Sequence, residues 1–349
     1  MTAEVIIAGR RVGVEQPPYV IAELSANHMG SLERALKMID AAASTGADAI
    51  KIQTYTADTI TIDCDRPEFH IHGGLWNGYT LHELYKEAQT PYDWHDKLFA
   101  RGRQLGVTMF STPFDESAVD LLAKLDAPAY KIASFEAIDL PLIAYAARRG
   151  KPMIVSTGMA NLGEIGEAVS TARANGAAGV ALLHCVSAYP TPIEDANLAT
   201  VPHLAAAFDC VAGLSDHTPG SAAAVASIAL GGAIVEKHFT LSRADGGPDA
   251  AFSLEPGEFK QLVTDCKSAR RAVGRVNYDL LASERGSKQF RRSLYAVRAI
   301  AKGEKLTCDN VRSIRPGLGL SPKRLPEILG RAAARDVAYG EPLAWDMMT

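Results

Sequence analysis

The sequence has no CxxC pair, no long basic run and no apolar stretch near the roughly 20 residues of a membrane span, and each absence removes a class of function. Its five cysteines, Cys64, Cys185, Cys210, Cys266 and Cys308, are odd in number and scattered. Reduced thiols of a cytoplasm fit that pattern better than a disulfide framework. Lys and Arg number 36 against 40 Asp and Glu, a formal net charge of −4, so neither nucleic acid nor an anionic membrane is an expected partner. The opening MTAEVIIAGRRVG lacks the charged-then-apolar layout of a secretory signal. A glycine-rich phosphate turn after the first strand is missing too, since AELSANHMG stands there. That disfavours a doubly wound dinucleotide fold.

What the chain does have is a repeating unit. Apolar runs recur at 19–24 (YVIAEL), 49–55 (AIKIQTY), 108–113 (TMFSTP), 129–134 (AYKIAS), 152–158 (PMIVSTG), 180–186 (VALLHCV), 210–217 (CVAGLSDH) and 233–240 (AIVEKHFT). Between them lie stretches of helical period such as LERALKMIDAAASTGA and LGEIGEAVSTARANG, often ending in glycine. Strands apolar on both faces and alternating with helices imply parallel pairing. Eight such units predict a (β/α)8 TIM barrel. We place the barrel at 1–282, a polar linker, ERGSKQFRRS, at 283–292, and a small domain with short strands and glycine turns at 293–349. Between Asp63 and Pro91 the chain is too long for an ordinary connection, and FHIHGGLWNGYTLHELY within it offers aromatic and His side chains for a lid or lining.

Chemistry in such a barrel sits at the carboxyl ends of the strands. Those ends hold Glu23; Lys51 with Gln53; Ser111 and Thr112; Lys131 with Ser134; Ser156 and Thr157; Ser187 with Tyr189; Ser215 with His217; and Glu236, Lys237 and His238. Two lysines among many hydroxyls suit a small, strongly anionic ligand such as a phosphate ester. The lysines also admit Schiff-base chemistry, but that needs a desolvated neutral amine, and the hydroxyls favour charged, phosphate-holding groups. His217 and His238 end adjacent strands and could share a divalent cation of the manganese type. Two histidines alone are more often core or hydrogen-bonding groups, and it is their position, with Glu23 on the neighbouring strand, that adds to the case. Asp216 should face away from the mouth, and we expect Glu236 and Lys237 both to point away from His238, toward the helix layer. In RADGGPDAAFSLEP, Asp245 and Asp249 can reach over the mouth toward sugar hydroxyls, although turn formation explains Asp245 equally well.

Taken together, AELSANHMG, AIKIQTYTADTITI, FSTPFD, YKIASFE, STGMA, HCVSAYPTP, GLSDHT, VEKHFT and GPDAAFSLEP resemble the sialic acid synthase family. The tail, with RRSLYAVRAIAKGE and IRPGLGLSP, resembles that family's antifreeze-like (SAF, β-clip) domain. Within the family, GLWNGYTLHELYKEAQTPYDWH and DGGPDAAFSLEPGEF are similar to the branch that makes pseudaminic acid. Neighbouring branches make N-acetylneuraminic and legionaminic acids.

The resemblance implies condensation of phosphoenolpyruvate with an amino-sugar aldehyde, by C–O cleavage, to a nine-carbon keto acid and phosphate. For this branch the acceptor is 2,4-diacetamido-2,4,6-trideoxy-β-L-altrose. It implies a divalent metal, manganese or magnesium, held by His217 and His238. Lys51, Thr112, Lys131, Ser134, Ser156, Ser187 and Ser215 match positions that hold phosphoenolpyruvate. Ser187 departs from relatives that carry Asn there, which puts its direct phosphate contact in question. Glu23, Tyr189 and Asp249 match positions around the sugar and the attacking water. It further implies a homodimer in which the antifreeze-like domain of one subunit caps the barrel of the other, where Arg315 meets the acceptor's N-acetyl group.

Overall fold

A computed structural model describes residues 3–349. The chain divides into two compact units, Met1–Gly274 and Arg275–Thr349.

The first unit opens with an antiparallel hairpin, β1 (Glu4–Ile7) and β2 (Arg10–Gly13). Eight parallel strands follow: β3 (Tyr19–Glu23), β4 (Ala49–Thr54), β5 (Thr108–Pro113), β6 (Tyr130–Ile132), β7 (Met153–Ser156), β8 (Val180–Cys185), β9 (Val211–Asp216) and β10 (Ile234–His238). They close into a barrel, β10 pairing with both β9 and β3. The expected eight-strand barrel is therefore present. Helices start where the sequence supplies caps. Asp115 accepts hydrogen bonds from the backbone N–H groups of Ser117 and Ala118 ahead of helix Glu116–Lys124, and Asn161 with Glu164 forms a capping box before Leu162–Ala174.

Alternation along each strand sends every second side chain inward. The lower interior is an apolar cluster that includes Ile21, Phe110, Ile154, Leu183 and Ile234. Val5, Ile7 and Val12 of the hairpin belong to the same cluster, so β1 and β2 cork the barrel's amino-terminal end. The other faces of the strands pack against the helices in a second, larger core. At Gly213 the wall has no room for a side chain, because a Cβ would lie 2.2 Å from the Ile234 carbonyl oxygen.

The long segment after β4 is ordered around an antiparallel bridge, His70 to Thr80, and the helix Leu81–Ala88. The second unit pairs β11 (Ser293–Ala296) with β12 (Val311–Ile314) around a small core of Leu294, Ile300, Leu306, Ile328 and Leu343. Among the described residues no helix is long and apolar enough to cross a membrane.

Candidate active site

Above the apolar floor, the inward positions turn polar on almost every strand: Glu23, Lys51, Thr112, Lys131, Ser156, Ser215 and Glu236 are all buried. Lys51 forms an ion pair with Glu23, lies 3.4 Å from Glu236, and donates to the Thr112 hydroxyl at 2.9 Å. Lys131 donates to Ser156 Oγ at 2.7 Å and lies 3.7 Å from the same Glu236 oxygen. Glu236 is thus shared by two lysines, and its second oxygen has no hydrogen-bond partner. Ser215 stands in register with Glu236 on the adjoining strand.

The four charges split in opposite directions. Burial pushes the Glu23 carboxyl up to about 7, with Glu236 adding and Lys51 opposing. For Glu236 burial acts the same way, but the two lysines outweigh it and hold the carboxyl below its usual range. Lys51 is also disfavoured by burial, yet Glu23 and Glu236 leave its pKa raised. Lys131, with only the shared Glu236 within ion-pair reach, is lowered by burial. Two carboxyl groups with different proton affinities thus sit beside an undercompensated cation, an arrangement suited to proton transfer next to a bound anion.

One level higher, the ring centroids of His217 and His238 are 5.3 Å apart. The Nδ1 of His217 is 3.0 Å from the Val186 carbonyl oxygen, which fixes a proton there. Burial disfavours the charged ring, but Cys185, the Val186 carbonyl and Glu236 outweigh it and leave its pKa raised, so Nε2 becomes free to accept once its own proton has left. Burial, followed by His217 and the lysines, holds His238 well below the usual imidazole range, so it is neutral. Its buried Nδ1 has no hydrogen-bond partner, and Asp249 Oδ2 is 3.9 Å away. Asp249 in turn accepts from Ser25 Oγ, and Gln53 Nε2 donates to that same hydroxyl at 3.1 Å. A neutral ring with an orphaned nitrogen beside a second ring whose Nε2 can shed its proton fits a divalent cation. Among the described residues no set of three or more His, Cys, Asp or Glu is placed to hold a metal, so substrate and water would supply the other positions.

Aromatic rings line the mouth above the histidines. Tyr189 lies 4.4 Å from the His217 ring, and Phe252 lies 5.4 Å from Tyr189 and 4.9 Å from His238. Ser134 and Ser187 converge on Gly158, whose N–H donates to Ser134 Oγ at 3.1 Å. A Cβ on Gly158 would come within 2.3 Å of Ser187 Oγ and 2.8 Å of Ser134 Oγ.

A barrel mouth built this way invites comparison with known proteins, and the NeuB family pattern matches residues 38–278. The chain belongs to the NeuB family. A SAF domain matches residues 291–349. The pseudaminic acid synthase of Campylobacter jejuni subsp. jejuni serotype O:23/36 (strain 81-176) is 45% identical over 325 residues, 93% of this chain and 95% of that protein. That of Helicobacter pylori (strain ATCC 700392 / 26695) is 43% identical, covering 95% and 98% respectively. Among solved structures, the N-acetylneuraminic acid (sialic acid) synthetase from Leptospira borgpetersenii serovar Hardjo-bovis superposes with a TM-score of 0.73 at 32% identity, over 82% of this chain and 95% of that one.

In this NeuB-family barrel the inward strand-end residues singled out from sequence converge. Ser111 instead turns to the helix side, where its Oγ meets Thr54 and the Ile52 carbonyl oxygen, and Thr157 Oγ1 donates to the Leu183 carbonyl oxygen. Asp245 pairs with Arg34 at 2.7 Å instead of reaching the mouth. Arg315 belongs to the second unit, where it follows β12 and is exposed.

One expectation is corrected. Glu236 does not point to the helix layer; it faces the interior with His238, because residues two apart on a strand share a face. Lys237 alone turns outward, where it meets Asp216. Sequence reading also passed over Cys185 and Glu136. Cys185 Sγ lies 3.8 Å from His217 Nδ1. Burial alone would raise this thiol, but His217, Ser134 and Lys131 bring it down to about 7. Glu136, just past β6, is pushed up to about 7 by burial. Alternation from Leu183 would have turned Cys185 inward, whereas Glu136 lies on a turn and carries no such signal.

Proposed function

We propose that the protein is a pseudaminic acid synthase. It condenses phosphoenolpyruvate with 2,4-diacetamido-2,4,6-trideoxy-β-L-altrose, giving pseudaminic acid and phosphate. The observation that carries this reading is the buried layer in which Lys51 and Lys131 share one carboxylate beneath the His217 and His238 rings, the latter with a buried nitrogen that has no partner. With Glu23 protonated, that layer sets two ammonium groups against one carboxylate and has cationic charge to spare for a small polyanion. A bound phosphate ester would restore the depressed Lys131 to its full charge. The acceptor is inferred from the 43–45% identical relatives, and the 32% identical neuraminic acid enzyme supports it less.

In this scheme Lys51, Thr112, Lys131, Ser134, Ser156, Ser187 and Ser215 hold the phosphate and carboxylate of phosphoenolpyruvate. Tyr189 and Asp249 face the sugar. His217 and His238 would hold a divalent cation, manganese or magnesium, and that ion would supply Lewis acidity for activating the aldehyde. Carbon 3 of phosphoenolpyruvate attacks the aldehyde carbon, leaving positive character at carbon 2. Water adds to carbon 2 and gives its proton to Glu23, whose raised pKa suits that transfer. The bond between C2 and the bridging phosphate oxygen then breaks, and its electron pair leaves with phosphate. That phosphate takes the proton of the C2 hydroxyl as its oxygen becomes the ketone, while the proton held by Glu23 passes to the former aldehyde oxygen. Lys51 and Lys131 stabilise the charge on that leaving group throughout.

The protein also works, in this proposal, as a cytoplasmic homodimer in which Arg315 of one copy reaches the acceptor held by the other. The experiment is phosphate release from phosphoenolpyruvate against a panel of 2-acetamido and 2,4-diacetamido sugars, repeated in ¹⁸O-water. Label should enter the keto acid; label in phosphate refutes C–O cleavage. Full turnover by a dilute monomer refutes the dimer.

A further inference from the structure

The segment between β4 and β5 carries one side chain into the aromatic cluster at the mouth. Thr80 and Glu83 cap its helix reciprocally. Ahead of that helix the chain doubles back, with Ile71 N–H bonded to Tyr79 O at 2.9 Å and Gly78 N–H to Ile71 O at 3.1 Å. Trp76 sits within this turn. Its ring lies 5.6 Å from that of Tyr189, and its Nε1–H donates to the Pro248 carbonyl oxygen at 3.1 Å. Pro248 directly precedes Asp249, and Tyr189 directly contacts His217. Trp76 is thereby fixed at two points to elements that carry the site.

We propose that Trp76 is a specificity residue, forming with Tyr189 a wall that receives the hydroxyl-free edge of the acceptor sugar. The inference rests on the synthase reading above and deepens it. An indole has one hydrogen-bonding group, and that of Trp76 is spent on Pro248. Phe252, 5.4 Å from Tyr189, has none, and the one hydroxyl of the wall, on Tyr189, is engaged by Ser187. The wall therefore offers contact area without a partner for a hydroxyl. A hydroxyl pressed against it gives up water for nothing, whereas a methyl group loses nothing. Of the sugars open to the family, a trideoxy acceptor with a C6 methyl presents such an edge, and its 6-hydroxy counterpart does not. Discrimination of this kind in an apolar pocket amounts to about tenfold to a hundredfold.

The test compares kcat/KM for 2,4-diacetamido-2,4,6-trideoxy-altrose with that for the same sugar bearing a 6-hydroxyl, using the full-length protein with saturating phosphoenolpyruvate. Wild type should prefer the 6-deoxy sugar by about tenfold or more, and Trp76→Ala should narrow the preference to within about threefold. The acceptor's KM should rise while that of phosphoenolpyruvate stays unchanged. Trp76→Gln, which places hydrogen-bonding groups in the wall, should shift the preference toward the 6-hydroxy sugar and serves also if the alanine variant does not fold. An unaltered preference in either active variant overturns the role of Trp76 and leaves the synthase reading standing. No phosphate release by wild type with either sugar overturns both.

Discussion

Lys237 and Asp216 stand in register on β10 and β9, and the ammonium donates to the carboxylate at 2.8 Å with both side chains essentially excluded from solvent. Each is the sequence neighbour of a histidine of the mouth. Asp216 also accepts from the N–H and hydroxyl of Thr218, and Lys237 donates to the Thr218 carbonyl. The outer faces of the two strands are thus tied together directly behind His217 and His238.

Breaking this tie should be costly. Lys237→Met leaves a buried carboxylate without its cation, a loss of about 3–5 kcal/mol measurable by urea denaturation. Adding Asp216→Asn removes the orphan charge while keeping an acceptor for Thr218, and should recover much of that loss. A loss below about 1 kcal/mol in the single variant would place the pair among exposed ones, contrary to its burial.

Glu23→Gln should lower kcat far more than it changes either KM, since the side chain serves the water and not the ground state. Burial has raised the Glu23 pKa to about 7, and a base must lose its proton to act. Wild-type kcat/KM should accordingly climb as pH rises through about 7 and level off above it. In the Gln variant that limb should vanish; a profile that keeps it assigns the titration to another group.

Lys131→Met should reduce kcat/KM for phosphoenolpyruvate by about a hundredfold to a thousandfold, the usual loss for one charge-stabilising donor. The KM of the sugar should hardly move. Equal losses for both substrates would remove Lys131 from the phosphate subsite.

Chelation should abolish turnover, and manganese should restore it in wild type but not in His217→Ala or His238→Ala. Calorimetric titration with Mn²⁺ provides a readout independent of activity. Undiminished heats in both variants would move the cation elsewhere.

Gly158→Ala should impair phosphoenolpyruvate use without unfolding the barrel. Its Cβ would overlap Ser187 Oγ and Ser134 Oγ, both ends of short side chains that can turn away. Unchanged kinetics would show that neither hydroxyl is needed where it stands.

The barrel was legible because its signal is local and repeated. Each strand is apolar until its last turn, and the same two-residue rhythm that buries Ile21 and Ile234 carries Glu23 and Glu236 into the interior. Applied at 236 and 238, that rhythm alone would have put Glu236 beside the lysines. The hairpin at the amino-terminal end was harder to see. Its turn uses Ala8 and Gly9, both at positive φ (49° and 78°), and alanine gives no such hint where Asn-Gly or Asp-Gly would. Trp76 was visible only as an aromatic in a long connection. What brings it to Tyr189 and Pro248 is contact across more than a hundred residues of chain, which no local pattern records.

The cork that Val5, Ile7 and Val12 place in the barrel floor closes the chamber at its amino-terminal end, so we expect both substrates to enter by the opposite door. Lys51, Lys131 and Ser156 lie nearer the cork, and His217, His238 and Tyr189 lie nearer the door. Two guests in such a chamber cannot pass one another. With phosphoenolpyruvate in the inner place proposed above, it is expected to bind before the sugar, an order that product-inhibition kinetics would check. By the same geometry phosphate, formed behind the keto acid, is expected to leave last.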